Sequence, residues 1–357
     1  MSIPDSRTIV VSAVGMPSSL GLFAEQTFTS VRAGLRRMSE APHIYFCDPE
    51  DPDFDAPTPL VAAHLSYLED ERNRKSTPVE WLAHIAAEAF LDLVSKITLA
   101  TGEGADRGFF LALPENRPGW DATMEEEFSY HFHNTAEIDR LPTMRHDFTG
   151  RAGVFTLIEE AARALQEGKI TSAIVGGVDS YLFPEWLKPL DRDYRIKSPR
   201  NVGGFIPGEL AAFFLLEGAG QAEKQGRKPL GVIQKAIRNS CTGLDLIHKT
   251  GMTLSEMLKP LLAATPLTPL IVCDLNGEPG RMKEWGYTLT RLGESLGTPV
   301  VMEHPVEALG DCGAATGAML IVLACLYLQA GYKNKASALI WWAGENGERL
   351  ALLLRHP

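Results

Sequence analysis

GAATGAMLIVLACLYLQA, residues 313–330, is the stretch whose reading decides the fold. It has the length and composition of a helix, and it is apolar on nearly every side. Such a helix has no solvent face, so it must lie between two layers of structure. Its most apolar run, Ala318 to Leu328, is too short to cross a bilayer, which takes about 20 residues. It reads as a helix buried between sheets of a globular chain.

The flanking sequence supplies those sheets. Upstream, 299–302 and 270–275 (LIVCDL) are β-branched, apolar runs, as doubly covered strands should be. A helix runs between them through Trp285 and Leu296. Downstream, 337–343 and 349–355 are closing strands, and Asn346-Gly347 between them is a hairpin turn signal. Residues 231–237 and 254–263 add a strand and a helix. The same rhythm fills the first part of the chain. Strands are expected at 7–14 (RTIVVSAV), 107–114, 172–178 and 210–217, and helices at 23–35, 78–94 and 152–168. Ser76-Thr77-Pro78 is a cap-then-proline helix start. Val154, Leu157, Ile158, Ala161, Ala162 and Leu165 share one stripe. Residues 48–59 are rich in Pro and Asp and read as a surface loop, and 118–138 has no clean period. Alternating strands and helices argue for an α/β fold with largely parallel sheets. Two halves that each end in adjacent strands argue for duplication: 1–220, with insertions at about 40–76 and 115–145, and 229–357.

Composition excludes several function classes. The chain has 357 residues, 45% hydrophobic and 22% charged, with a formal net charge of −11. An acidic surface without dense basic runs repels phosphate backbones, so no nucleic-acid partner is expected. The cysteines (Cys47, Cys241, Cys273, Cys312, Cys325) are odd in number, widely spaced and without a CxxC pair, which fits a reducing, cytoplasmic compartment. Met1 to Asp5 carries no signal-peptide pattern. His131 and His133 alternate, but too few further ligands are in view for a metal, and no cofactor is implied.

Several motifs, in order, resemble the β-ketoacyl-acyl-carrier-protein synthases of the thiolase superfamily. Val14 to Gly21 is similar to their opening strand and turn. Ala164 to Gly168 followed by Ala173-Ile174-Val175-Gly176-Gly177-Val178-Asp179 is similar to their helix and glycine-pair turn. Gly204-Phe205-Ile206-Pro207-Gly208-Glu209-Leu210-Ala211-Ala212 resembles their GF-x-x-GEGA turn, and Gly310-Asp311-Cys312-Gly313-Ala314-Ala315-Thr316-Gly317 their GHTEAAAG helix start. The resemblance implies a thiolase-like, pseudo-duplicated α-β-α-β-α layered sandwich. It also implies a homodimer, paired here through the strand 172–178, and a site close to Gly176, Gly177 and Glu209. Glu209 is more simply read as a buried acid paired with a cation or capping amides.

The resemblance also points to three catalytic slots, each filled by another residue type. Gly150-Arg151-Ala152-Gly153 matches the nucleophilic cysteine at a helix N-terminus, which places Arg151 in that slot. A guanidinium is no acyl acceptor, and the helix dipole disfavours a cation there. It must turn to solvent or be held by an acid, and Asp147 and Asp311 are the candidates. Asn276 falls in the first histidine slot, Asp311 in the second, and Val306 where a lysine is expected. Possible surrogates are Cys312, at a helix start that favours a thiolate, and the doublet His146-Asp147 as base and orienter. Glu345 and its neighbours 344–347 stand where the synthases carry a gating loop, and read as a plain hairpin.

Altered slots suggest a protein that binds rather than condenses: a partner of an active synthase, a docking surface for acyl-carrier protein or acyl-CoA, or a scaffold. The alternative is an acyl-transferring or acyl-hydrolysing enzyme with a changed site. The D-L-N-G-E (274–278) and H-P-x-x-x-x-G-D (304–311) motifs are also similar to synthase-like proteins encoded near bacterial type VI secretion genes.

Overall fold

The computed structural model describes residues 8–46, 58–74, 77–97, 107–137, 144–265, 267–297 and 299–357. Met1 to Asp5, Cys47, Ser76 and most of the 48–59 stretch lie outside the described residues.

The first part of the chain runs β1 (Ile9–Gly15), α1 (Ala24–Arg32), β2 (Ser39–Phe46), β3 (Thr58–Ala62), α2 (Glu69–Arg74) and α3 (Pro78–Val94). It continues with β4 (Arg107–Ala112), α4 (Glu125–Ala136), β5 (Met144–Asp147), α5 (Gly153–Gln166), β6 (Ser172–Ser180), α6 (Pro184–Arg192), β7 (Glu209–Gly218) and α7 (Ala219–Lys224). The second part is β8 (Gly231–Ser240), α8 (Gly243–His248), α9 (Met252–Leu262), β9 (Leu270–Cys273), α10 (Pro279–Leu292) and β10 (Val301–Glu303). It closes with α11 (Val306–Leu309), α12 (Thr316–Gln329), β11 (Ser337–Ala343) and β12 (Glu348–Arg355).

Ten strands hydrogen-bond in the order β10-β9-β11-β12-β8-β1-β7-β6-β4-β5. β2 and β3 form a separate antiparallel pair. Where two distinct sheets might be expected, hydrogen bonding makes one, but the join is slight: β1 meets β8 only at Val10↔Val232 and Val11↔Gly231. On either side of that join the topology repeats. In each set of five strands, counted along the chain, the spatial order is third, second, fourth, fifth, first. The third, second and fourth are parallel (β5-β4-β6 and β10-β9-β11), while the fifth and first are antiparallel.

Alternation along the strands sorts their side chains into layers. Leu210, Ala212, Phe214 and Leu216 of β7 face the same core as Leu350, Leu352 and Leu354 of β12, and between them lie α5 and α12. Ala211, Phe213 and Leu215 face outward onto α3 and α4. Ala351 and Leu353 face outward onto α9 and α10. The layers are thus helix, sheet, helix, sheet, helix. Helix α12 is buried from Thr316 to Leu328, as its sequence demands.

Local chemistry explains several boundaries. Thr77 caps α3 and Glu80 returns the bond, with Pro78 in the first turn. Within the described part of the stretch 118–138, residues 125–136 form a helix, α4, instead of an irregular insertion; its buried residues, Phe128, Phe132 and Ala136, are four apart among polar residues. His131 and His133 therefore diverge around it. His131 lies 3.9 Å from Glu127, and His133 bonds Ser129 O at 2.6 Å. Gly176 and Gly177 lie inside β6, which continues to Ser180, so they form no turn. A Cβ on Gly177 would meet Ala314 O at 2.6 Å and Ala315 Cα at 3.1 Å. The glycine admits the start of the central helix against the strand. β6 lies between β4 and β7 with both edges bonded. The expectation that it pairs across a dimer axis fails for that reason; β5 and β10 are the edge strands.

Candidate functional site

The carboxyl ends of the parallel strands β5, β9 and β11 converge, the usual place for a site in such sheets. The turn after β5 carries Arg151, the loop after β9 carries Asp274, Asn276 and Glu278, and the hairpin after β11 carries Glu345. The chain between α11 and α12 adds Asp311, α10 adds Arg281, and the loop between α6 and β7 adds Arg195.

Arg151 is 1% exposed and stands just before α5. It does not turn to solvent. Its Nη2 donates to Asp311 Oδ2, and its Nη1 donates to Asp274 Oδ2 at 3.3 Å. Its Nε lies 2.9 Å from Glu345 Oε1 but off the N–H line, so this contact is an ion pair without a hydrogen bond. Its backbone carbonyl accepts from Trp342 Nε1 at 2.8 Å. The neighbours extend the network. Arg281 Nη1 donates to Asp274 Oδ2 at 2.6 Å, and Arg195 bridges Glu278 (2.8 and 3.1 Å) to Glu345 (2.8 Å). Asn276 Nδ2 lies 2.7 Å from Asp311 Oδ2 and 2.9 Å from Glu278 Oε2. Three guanidiniums thus meet four carboxylates, buried around Arg151, Asp274 and Asp311 and partly open to solvent at Arg195 and Glu345.

For Arg151, Asp311 and Glu345 burial favours the neutral form, and the pairing reverses it. For Arg151, desolvation is outweighed chiefly by Asp311, so the guanidinium stays charged. For Asp311, burial pushes the carboxyl up, while Arg151, Arg281 and the Asn276 amide pull it below its ordinary range. Glu345 is held well below that range, its burial outweighed first by Arg151 and then by Arg281 and Arg195. Asp274 Oδ1 is buried without a partner; all of its bonds fall on Oδ2, including one from Ala343 N at 3.1 Å.

The surrogate residues lie elsewhere or are buried. Cys312 is fully buried, its thiol donates to Gly310 O and Leu309 O (3.4 and 3.5 Å), and burial followed by the Asp311 charge pushes its pKa far up. That is the opposite of an activated thiolate. His146 and Asp147 are not a pair. His146 Nδ1 is 2.7 Å from Glu125, and burial lowers its pKa. Asp147 caps the turn by accepting from Thr149 N at 2.8 Å; the acids holding Arg151 are Asp311, Asp274 and Glu345. Glu209 Oε2 accepts from Arg72 (2.6 Å), Trp81 Nε1 (2.9 Å) and Ser180 (2.7 Å), and its Oε1 accepts from Leu65 N at 3.0 Å, so it is a buried acid paired with a cation and capping an amide. Burial raises its pKa, but Arg72 and these donors hold it below the ordinary value.

Sequence reading missed Asp274, Glu278, Arg281 and Arg195, and it took Glu345 for a bystander. The signal was in D-L-N-G-E-P-G-R: Glu278 and Arg281 are three apart across a helix start. β11 and β12 do form a hairpin, but only Gly347 of its turn has positive φ, so it is not the two-residue type that Asn346-Gly347 suggests.

A second ion pair lies beside the first. Asp179 receives both Arg117 nitrogens (2.8 and 2.9 Å) and the amide of Ala314 (2.8 Å). Arg117 stacks over Tyr181 and Trp186, 4.6 and 4.9 Å from their centroids. Among the described residues no group of three or more His, Cys, Asp or Glu side chains is placed to hold a metal ion, and no helix is long and apolar enough to cross a membrane.

No protein-family model matches the chain. Solved structures do. One is a chain of a type II PKS acyl-carrier protein in complex with its ketosynthase bound to the hexaketide, at TM-score 0.77 and 14% identity, covering 98% of this chain and 100% of that one. Another is the ishigamide ketosynthase/chain length factor, at TM-score 0.68 and 18% identity, covering 98% and 99%. A third is the ketosynthase from module 6 of the bacillaene synthase from Bacillus subtilis 168, at TM-score 0.71 and 13% identity, covering 98% and 72%. Strand order, layering and these likenesses together give this chain the thiolase-like fold of the ketosynthases.

Proposed function

We propose that this is a ketosynthase-like protein that does not condense acyl groups and acts by binding, as a partner of an active synthase, a docking surface for acyl-carrier protein or acyl-CoA, or a scaffold. The observation that carries the reading is Arg151: a buried guanidinium, neutralised by Asp311 and Asp274, at the head of the helix where a nucleophile belongs. Asn276 and Asp311, proposed to fill the histidine positions, are spent on the same network. Neither they nor Arg151 offers a nucleophile or a base with a free lone pair and a matched pKa.

The likenesses supply the kind of partner. One similar structure is described as a ketosynthase/chain length factor, another as a ketosynthase with its acyl-carrier protein. The repeated strand order supports dividing the chain into halves at 1–220 and 229–357. A dimer, with a second copy or with a synthase, is part of the proposal; β5, an edge strand of the sheet, suits it better than β6. An association with type VI secretion proteins rests on the two motifs alone.

The test is turnover of acyl-CoA and acyl-carrier-protein thioesters. The expected result is no condensation, transfer or hydrolysis above background. Turnover abolished by Asp311→Ala would establish the acyl-transferring or acyl-hydrolysing reading instead.

A further inference from the structure

Helix α10 faces two ways. Arg281, Glu284, Trp285 and Thr288 are buried. On its outer side Lys283, Tyr287 and Arg291 follow at intervals of four, so they share one face. With His248 and Thr250, from the end of α8 and the turn after it, they line a cleft of about 250 Å³.

The lining carries no carboxylate, although the chain has 45 acids against 34 basic residues. Among the described residues no acid lies within ion-pair reach of His248, Lys283 or Arg291. Arg291 uses only Nε, toward Thr250 O at 3.3 Å, which leaves the rest of its fork of donors free. Lys283 Nζ sits 5.7 Å from the centroid of the Tyr287 ring, which forms an aromatic wall beside the cations. Asp245, bonded to the lining residue Thr250, is buried and engaged. It accepts from the Thr250 hydroxyl at 2.5 Å and from the amides of Met252 (3.3 Å) and Thr253 (2.7 Å). Cations left unpaired around a concavity favour an anion, and a guanidinium fork beside an ammonium suits phosphate oxygens.

We propose that this cleft binds the phosphate group of a small phosphorylated molecule whose attached group packs on Tyr287. The proposal does not depend on how Arg151 is read, since none of the lining residues belongs to the buried network.

The test is calorimetric titration of the full chain at low ionic strength with inorganic phosphate and with phenyl phosphate. Saturable binding of both is expected, with phenyl phosphate several-fold tighter. The double variant Lys283→Gln/Arg291→Gln should weaken both by about tenfold or more. Tyr287→Ser should remove only the preference for phenyl phosphate. All three side chains are exposed, so unchanged thermal melting is expected and confirms that the variants fold. Absence of saturable binding, or a double variant within twofold of the native chain, overturns the site. Equal affinity for the two ligands overturns the role of Tyr287.

Discussion

At the scale of single residues, the account rests on buried charges that stand only because they are paired. Removing one partner strands the others, which typically costs about 3–5 kcal/mol. Arg151→Ala should therefore destabilise the fold by about that much, read from chemical denaturation. Replacing the pair together, as Arg151→Met with Asp311→Leu, should cost less than the single change, because no unpaired charge is left. The pH dependence has a definite sign. Asp311 and Glu345 have carboxyls depressed in the folded chain. Their contribution is fully present above the ordinary carboxylate value of about 4 and is lost as pH falls through the folded values. Acid unfolding below about pH 4 should be steep in the native chain and shallower in Glu345→Gln, as read from the denaturation midpoint against pH. Of this network the sequence named Arg151, Asn276 and Asp311, with Asp311 and Asp147 as the candidate partners of Arg151, of which the structure pairs Asp311. It did not name Asp274, Arg281, Arg195 or Glu345 as partners, because the 274–281 segment, Arg195 and Glu345 meet only through long-range packing and no local pattern ties them to Arg151.

At the scale of elements, legibility follows periodicity. Helices α3, α5 and α12, and the long strands of both halves, were readable because burial on one face, or on all faces, leaves a repeating mark. Helix α4 was not, since only Phe128, Phe132 and Ala136 anchor it. Glycines in β6 were misread as a turn, although their composition was noticed. What decides their role is a long-range contact: the backbone of Ala314 comes too close to Gly177 for a Cβ. Gly177→Ala must push the start of the central helix away from the strand. A loss of about 1–3 kcal/mol is expected, measured by denaturant titration. At the surface of α3, Thr77→Ala should remove the cap and cost about 1 kcal/mol.

At the scale of the whole molecule, the halves share one strand order and one central core, which holds α5 against α12. Alternation in the sequence was enough to place that core, because a helix with no polar side has only one kind of home. The continuity of the sheet through β1 and β8 was not legible, since it rests on two residue pairs. Nor was the true edge of the first half, because strand order depends on pairing between distant segments. The proposed dimer predicts a scattering mass of about twice 39.0 kDa at micromolar concentration. The central claim, that a guanidinium occupies the place of an acyl-accepting sulfur, is tested most directly by intact-mass spectrometry after incubation with acyl-CoA and acyl-carrier-protein thioesters. The account predicts an unchanged mass. An acyl adduct on any residue of the network, or on Cys312, would contradict it.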